Sequence, residues 1–343
     1  MAEIDENLAF EPATRIGELI KSKELSPVEI TKLYLERIEK LDSNLNSYLT
    51  VTADIALRAA QNAEDKLVNG DELGALHGIP ISIKDLQMTK GVRTTGGSLA
   101  YKDRVPEADC AVVERILEAG AIMLGKTNSP EFGLLGANEN RLGDPCRNPW
   151  NVDRTSGGSS GGAGASIVAG LTSLATGGDG GGSIRIPASF NGTYGIKPTQ
   201  GRVSSFSGVP GSPLANYTSQ QGPLTRTVQD AALLLQVMAG YDSRDPGSLR
   251  SSVPNFLESV TRGVSGLKIG WSPDYGYAAV DSEVLTISES AANVFTELGC
   301  TVIESDIKLE GAFDTWFTLF AASAYATHGH LLDDEEDPLT WYA

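Results

Sequence analysis

Histidine and cysteine are scarce, at three each in 343 residues. Cys110, Cys146 and Cys300 are odd in number, widely spaced and form no CxxC pair, which excludes a disulfide framework and a cysteine zinc site and fits a reducing compartment. His77, His328 and His330 are too scattered for their spacing to assemble a metal centre. Basic residues are also few, 27 Lys and Arg against 44 Asp and Glu, for a formal net charge of -17. Nucleic-acid affinity rests on clustered Lys and Arg, so a phosphate-backbone partner is disfavoured and the acidity reads as solubility. No apolar run reaches the length of a membrane span, and the acidic opening Met1-Ala-Glu-Ile-Asp-Glu6 leads to no apolar signal core. These absences predict a soluble, cytoplasmic chain with neither a nucleic acid nor a membrane as partner.

Glycine, by contrast, is abundant at 38 residues. It concentrates in Ser156-Gly-Gly-Ser-Ser-Gly-Gly162 and in Gly177-Gly-Asp-Gly-Gly-Gly-Ser-Ile-Arg-Ile-Pro187. Backbone freedom beside several hydroxyls suits an acyl-transfer site, where bare N–H groups must converge on one oxygen. A flexible linker is the alternative. It is opposed by the apolar runs Ala163–Ala169 and Leu171–Thr176 between the glycines, which a solvated tether would lack.

With 41% hydrophobic residues the chain is able to bury a large core, as one large α/β domain or two ordinary ones. Ser26-Pro-Val-Glu29 reads as a capping box opening a helix whose apolar face is Ile30, Leu33, Leu35, Ile38 and Leu41. A second amphipathic helix is predicted from about Ala53 to Leu67, ending near Gly70. From Gly78 onward short apolar strands alternate with helices. Strands are predicted at Ile79–Ile83, Ala121–Leu124, Leu267–Trp271 and Cys300–Ile303, and helices at Ala111–Ala119, Thr227–Met238, Ser282–Leu298 and Phe313–His330. This alternation implies an α/β sheet. There is no internal repeat and no clear domain linker. The reading is therefore one domain over 1–343, with a helical layer (1–70), a core (71–240) and further α/β elements (241–343), and with Tyr241–Ser252 as an exposed excursion.

Two motifs match in letters and fail in context. Gly120-Ala-Ile-Met-Leu-Gly-Lys-Thr127 fits the phosphate-loop pattern, but its middle is apolar and strand-like and a helix precedes it where a strand is needed. Gly158-Ser-Ser-Gly-Gly162 fits G-x-S-x-G with Ser160 as nucleophile and His328 or His330 as downstream base, but polar, proline-broken Asn148–Thr155 stands where a buried strand should precede it. His77, at a strand entry, is expected to make a structural hydrogen bond.

A base is still needed, and the candidate is Lys84, at the end of the apolar strand Ile79–Ile83. A lysine held out of water loses proton affinity and becomes able to act as a general base near neutral pH. Pairing of Lys84 with Asp85 or another surface carboxylate is an equally open reading of the local sequence.

Taken together, Gly78-Ile-Pro-Ile-Ser-Ile-Lys-Asp85, Gly157-Gly-Ser-Ser-Gly-Gly162 and Gly181-Gly-Ser-Ile-Arg-Ile-Pro-Ala188 closely resemble the amidase signature family. Gly125–Asn128, Arg147–Trp150 and Gly195–Ser204 support the resemblance, which extends to about residue 240. It implies a central mixed, twisted β-sheet with helices on both faces. It also implies a cofactor-independent, metal-free hydrolase with a Ser-Ser-Lys triad, here Ser183 as nucleophile, Ser159 on a cis peptide as proton relay and neutral Lys84 as base. The spacing of 24 between Ser159 and Ser183 agrees with the family register and makes Ser160 a neighbour of the relay. Gly180, Gly181, Gly182 and Ser183 are the implied oxyanion hole, with Ser160, Asp179 and Arg185 in support, Arg185 bracing the loop by hydrogen bonds.

Departures from the family pattern carry further expectations. Gly178-Asp179-Gly180 stands where the family usually has Thr-Asp-Thr, which should widen the pocket towards aryl amides, esters or carbamates. Family members generally continue past the point reached here after Asp334-Glu-Glu-Asp-Pro-Leu-Thr-Trp-Tyr-Ala343, so C-terminal strands and part of a substrate wall are expected to be missing. The resemblance admits two other readings of function. One is the glutaminase subunit of a tRNA-dependent amidotransferase, although Asn128-Ser-Pro-Glu-Phe132 differs from the Met-Asp-Glu-Phe style of that subfamily. The other is an inactive binding scaffold. The expected partner is a small amide, ester or carbamate substrate, and the expected state a monomer or homodimer.

Overall fold

Local chemistry sets the first helices of the computed structural model, which describes residues 5–209, 218–333 and 339–343. α1 (Ala13–Lys21) has no cap of its own: its first amides, of Ala13 and Thr14, donate to the Asp230 carboxylate 3.0 and 2.8 Å away. α2 (Pro27–Leu45) opens with the expected capping box, Ser26 accepting from Glu29 N–H while the Glu29 carboxylate accepts from Ser26 N–H. The chain then enters β1 (Tyr48–Val51), a strand absent from the sequence reading, before α3 (Ala53–Asn69) stops at left-handed Gly70.

β2 (Pro80–Lys84), α4 (Ala111–Glu118), β3 (Ile122–Thr127), the hairpin of β4 (Arg147–Asn148) and exposed β5 (Asn151–Thr155), α5 (Gly161–Val168), β6 (Leu174–Asp179), α6 (Arg185–Asn191), β7 (Tyr194–Gly195), β8 (Gln220–Thr225) and α7 (Val228–Met238) follow. Six strands form one mixed sheet in the order β1-β3-β2-β6-β8-β7. β2 runs parallel to β3 and β6, while β1, β7 and β8 pair antiparallel with their neighbours. One apolar cluster joins Ile79, Ile81, Ile83 and Leu174 to α1, α4 and α7. Others join Ile122 and Leu124 to α2 and α3, and Ala175 and Leu224 to α5 and α6. The sheet is thus covered by helices on both faces, as the resemblance implies. At the end of β8, the Arg226 guanidinium donates to the carbonyls of Ala9, Glu11, Ile167 and Thr172 at 2.8–3.2 Å.

Two sequence expectations meet the structure here. Tyr241–Ser252 is largely exposed, as expected, yet anchored: Asp242, Asp245 and Ser248 are buried, Leu249 N–H donates to Gly201 C=O, and Arg244 bridges Asp242 and Glu114. The phosphate-loop letters Gly120–Thr127 are spent on β3, whose residues are buried throughout.

Proximity along the fold divides the chain into two units, Met1–Leu257 with Ala324–Ala343, and Glu258–Ser323. A single-turn helix, α8 (Phe256–Ser259), lies at the boundary. The smaller unit contains a parallel pair, β9 (Lys268–Trp271) and β10 (Thr301–Glu304), with α9 (Ser282–Glu297) between them and the part of α10 (Ala312–His328) that ends at Ser323. Among its described side chains only Ala292 and Cys300 are hydrophobic and buried. The charged loop expected near the C-terminus falls largely on 334–338, outside the described residues.

Candidate active site

Three segments of the larger unit meet at the carboxyl ends of β2 and β6. β2 delivers Lys84 at its last position, and the side chain is 1% exposed, too dry for a surface ion pair. Its Nζ donates to Ser159 Oγ at 2.6 Å and to Ser160 Oγ at 2.9 Å. Burial pushes the lysine pKa down to about 7, against the opposing pull of the Asp179 carboxylate. The alternative of a Lys84–Asp85 pair is not what forms. Asp85 turns to Thr95, accepting from its N–H at 2.9 Å and from its hydroxyl.

The serines sit on a tight connection between β5 and α5. The Gly158–Ser159 peptide is cis, and Gly157 takes a left-handed φ of 76°. Gly158 is needed for close approach, since a Cβ there would lie 2.2 Å from the Ala137 carbonyl oxygen. Ser160 precedes the first residue of α5 and ties the turn to β6: its Oγ accepts from Gly178 N–H at 3.3 Å, and its own N–H donates to the Ser183 carbonyl at 3.1 Å. Lys84, Ser159 and Ser160 are therefore joined through side chains, and Ser183 is joined to them through its backbone. The Ser183 side chain is half-buried and its hydroxyl bonds to none of the described residues.

The loop after β6 is organised by one carboxylate. Asp179 is fully buried, accepts from Gly182 N–H at 2.7 Å and from Ile184 N–H at 3.2 Å, and meets Arg185 in a fork, Nε at 2.9 Å and Nη2 at 2.8 Å. Burial acts to raise its pKa, but the Arg185 guanidinium and these amides outweigh burial and hold it below the usual carboxylate value. The Gly182 N–H, one of the donors expected in the oxyanion hole, is hydrogen-bonded to Asp179. The amides of Gly181 and Ser183 donate to none of the described residues.

Several participants escaped the sequence reading. Gly133, left-handed at φ 76°, packs so closely over the relay serine that a Cβ would lie 3.1 Å from Ser159 Oγ; Phe132 before it is left-handed as well, at φ 51°. Thr176 Oγ1 accepts from Lys84 N–H at 3.0 Å and donates to Gln87 Oε1. Lys126, also buried and with its pKa lowered by burial to about 8, donates to Gln87 C=O and, at 2.6 Å, to Thr89 Oγ1. The clustered glycines pointed to the serine turn, but no comparable local signal marks Gln87 or Thr176, because their importance arises from strand pairing.

The histidines stand apart from the serines. His328 stacks face to face on Phe132 with centroids 3.7 Å apart, its pKa lowered to about 4 by burial, while His330 Nε2 lies 3.4 Å from the Tyr101 hydroxyl. His77 Nε2 lies 3.0 Å from the Ala63 carbonyl, the structural contact expected of it. Among the described residues no group of three or more His, Cys, Asp or Glu side chains could hold a metal, and no helix is long and apolar enough to cross a membrane.

A family model described as Amidase matches residues 29–338. The A subunit of the glutamyl-tRNA(Gln) amidotransferase of Geobacter sp. (strain M21) is 41% identical over 312 residues, covering 91% of this chain and 64% of its own length. An acylamidase of Rhodococcus erythropolis is 36% identical, covering 96% of this chain and 69% of its own. The crystal structure of a bacterial aryl acylamidase of the amidase signature family superposes with a TM-score of 0.90 at 36% identity, covering 97% of this chain and 70% of its own. The chain thus spans about two thirds of the length of these relatives, and with the motifs, the mixed sheet and the serine turn in agreement, it belongs to the amidase signature family.

Proposed function

We propose that the protein is an amidase signature hydrolase that cleaves an amide C–N bond through an acyl-enzyme on Ser183, with Ser159 as relay and Lys84 as base. The observation that carries this reading is the 2.6 Å contact between the Lys84 amine and Ser159 Oγ, made by a lysine too buried to keep its proton firmly at neutral pH. With the amine neutral, the Ser159 hydroxyl donates to the Nζ lone pair. As Ser183 Oγ bonds to the carbonyl carbon, its proton passes to Ser159 and that of Ser159 passes to Lys84. The carbonyl oxygen gains the negative charge, and the amides of Gly180, Gly181 and Ser183 are the donors assigned to it, with Asp179 and Arg185 holding their loop. The relay then runs backwards: the proton reaches the leaving nitrogen, the C–N bond breaks, and an amine departs instead of an unstable amide anion. Water, deprotonated by the same route, attacks the acyl-serine ester, releases the carboxylic acid and restores Ser183.

Ser183→Ala should lower turnover at least roughly a thousandfold while the fold persists, and Lys84→Ala nearly as much. Circular dichroism with a panel of p-nitroanilide, ester and carbamate substrates reads both, and full activity in either folded variant would remove the mechanism. The Gly178-Asp179-Gly180 sequence supports an aryl-tolerant pocket, as does the likeness to the aryl acylamidase.

A second reading is favoured by the 41% identity to a component of a tRNA-dependent amidotransferase, namely release of ammonia from glutamine for a partner protein. Asn128-Ser-Pro-Glu-Phe132 counts against it. Glutamine hydrolysis in the absence of anilide hydrolysis would select this reading. A binding scaffold is the contrasting class, and labelling by a fluorophosphonate probe that depends on Ser183 would eliminate it.

A further inference from the structure

A chain of hydrogen bonds leaves the Lys84 backbone and ends on an unused donor. The Lys84 N–H donates to Thr176 Oγ1, Thr176 O–H donates to Gln87 Oε1, and Gln87 Nε2 donates to Gln221 Oε1 at 2.6 Å. In this arrangement Thr176 gives its hydrogen to Gln87, and the Gln87 and Gln221 amides each accept on oxygen. The last group, Gln221 Nε2, is left as a donor that bonds to none of the described residues, on a half-buried side chain.

The position of that donor is informative. Gln221 pairs with Gly178 in the β6–β8 register, and a Cβ at residue 178 would lie 3.3 Å from Gln221 Oε1, so the missing side chain keeps the amide uncovered. Asp179 follows at once and opens the loop that ends at Ser183. The donor thus stands beside β6, whose last residue leads within four positions to Ser183.

We propose that Gln221 is a specificity-determining residue, whose Nε2 binds a hydrogen-bond acceptor, such as a second carbonyl, on the acyl portion of the substrate. The proposal rests on the reading of Ser183 as the acylated residue. A fixed donor in a partly desolvated site favours a substrate that brings an acceptor, and disfavours one that leaves the N–H unpaired.

The test compares 4-oxopentanoyl and 4-methylpentanoyl p-nitroanilides, which differ by a carbonyl oxygen in place of a methyl group, on the wild-type chain and on Gln221→Met. Wild type should favour the keto substrate in kcat/KM by about tenfold, and the variant should bring that ratio close to one. Equilibrium binding of the product acids, 4-oxopentanoate and 4-methylpentanoate, is measured in parallel by calorimetry, with the thermal midpoint confirming that the variant folds. Absence of a keto preference in binding, or a preference that survives the substitution, overturns the proposal. If wild type hydrolyses neither anilide, the hydrolase reading suffers, while the two binding constants still decide the role of Gln221.

Discussion

Lys84 combines two demands that usually conflict, since a buried lysine is costly and a solvated one is a poor base at neutral pH. Burial lowers its pKa to about 7, so the active neutral form accumulates as pH rises, and kcat/KM should climb through a limb centred near that value. A profile flat from pH 5 to 9 would argue that another group accepts the proton. The same shift affects stability. In the unfolded chain the amine has its ordinary value of 10.5, so between about 7 and 10.5 the unfolded state binds more protons, and the Lys84 contribution to stability improves as pH rises across that window. Lys84→Met removes the dependence. Its stability advantage over wild type should therefore be greatest near neutral pH and shrink towards pH 10, as read by urea unfolding at several pH values.

Gly133 illustrates a single residue whose side chain would be the problem. Its left-handed φ and its place against Ser159 leave no room for a Cβ, which would lie 2.8 Å from Leu86 Cδ1 as well. Gly133→Ala should cost about 1 kcal/mol of stability from backbone strain alone. By displacing Ser159 it should also reduce kcat on the order of tenfold or more. Unfolding and steady-state kinetics on one preparation separate the two effects.

Among the elements, α2 shows how local rules and tertiary structure divide the work. Its capping box is complete within four residues, and Ser26→Ala should cost about 1 kcal/mol, measurable as a lower urea midpoint. That start was legible in the sequence because every atom of it is local. So were α3, α4, α7 and α9, whose apolar spacing and glycine stops agree with the structure to within a residue or two. β1 was hidden because Tyr48–Val51 is short and only partly buried, and it becomes a strand by pairing with β3. The exposure of Tyr241–Ser252 was legible from its polar composition, but its anchors were not, since Asp242 is held by Arg244 and Asp245 by the Ser205 amide from elsewhere in the chain. In the site, the motifs indicated which segments converge, but the capture of the Gly182 amide by Asp179 and the Thr176–Gln87–Gln221 series depend on loop and strand register, which composition does not encode.

For the whole molecule, the sheet matters as the frame that brings β2, β6 and the turn before α5 to one edge, and long-range contacts hold that frame in place. Asp230 on α7 caps α1 from over 200 positions away. Arg226 has the greater reach, because its four acceptors belong to the opening segment, to α5 and to the turn leading into β6. One planar cation thereby fastens the start of the polypeptide to the helix that follows the serine turn. A lysine cannot present the same fan of donors. Arg226→Lys should therefore loosen remote stretches in concert, with faster amide hydrogen exchange around residues 8–12 and also near 166–173. Fraying at the amino end would then be transmitted to the serines as slackness in their footing, without any contact between that end and a substrate.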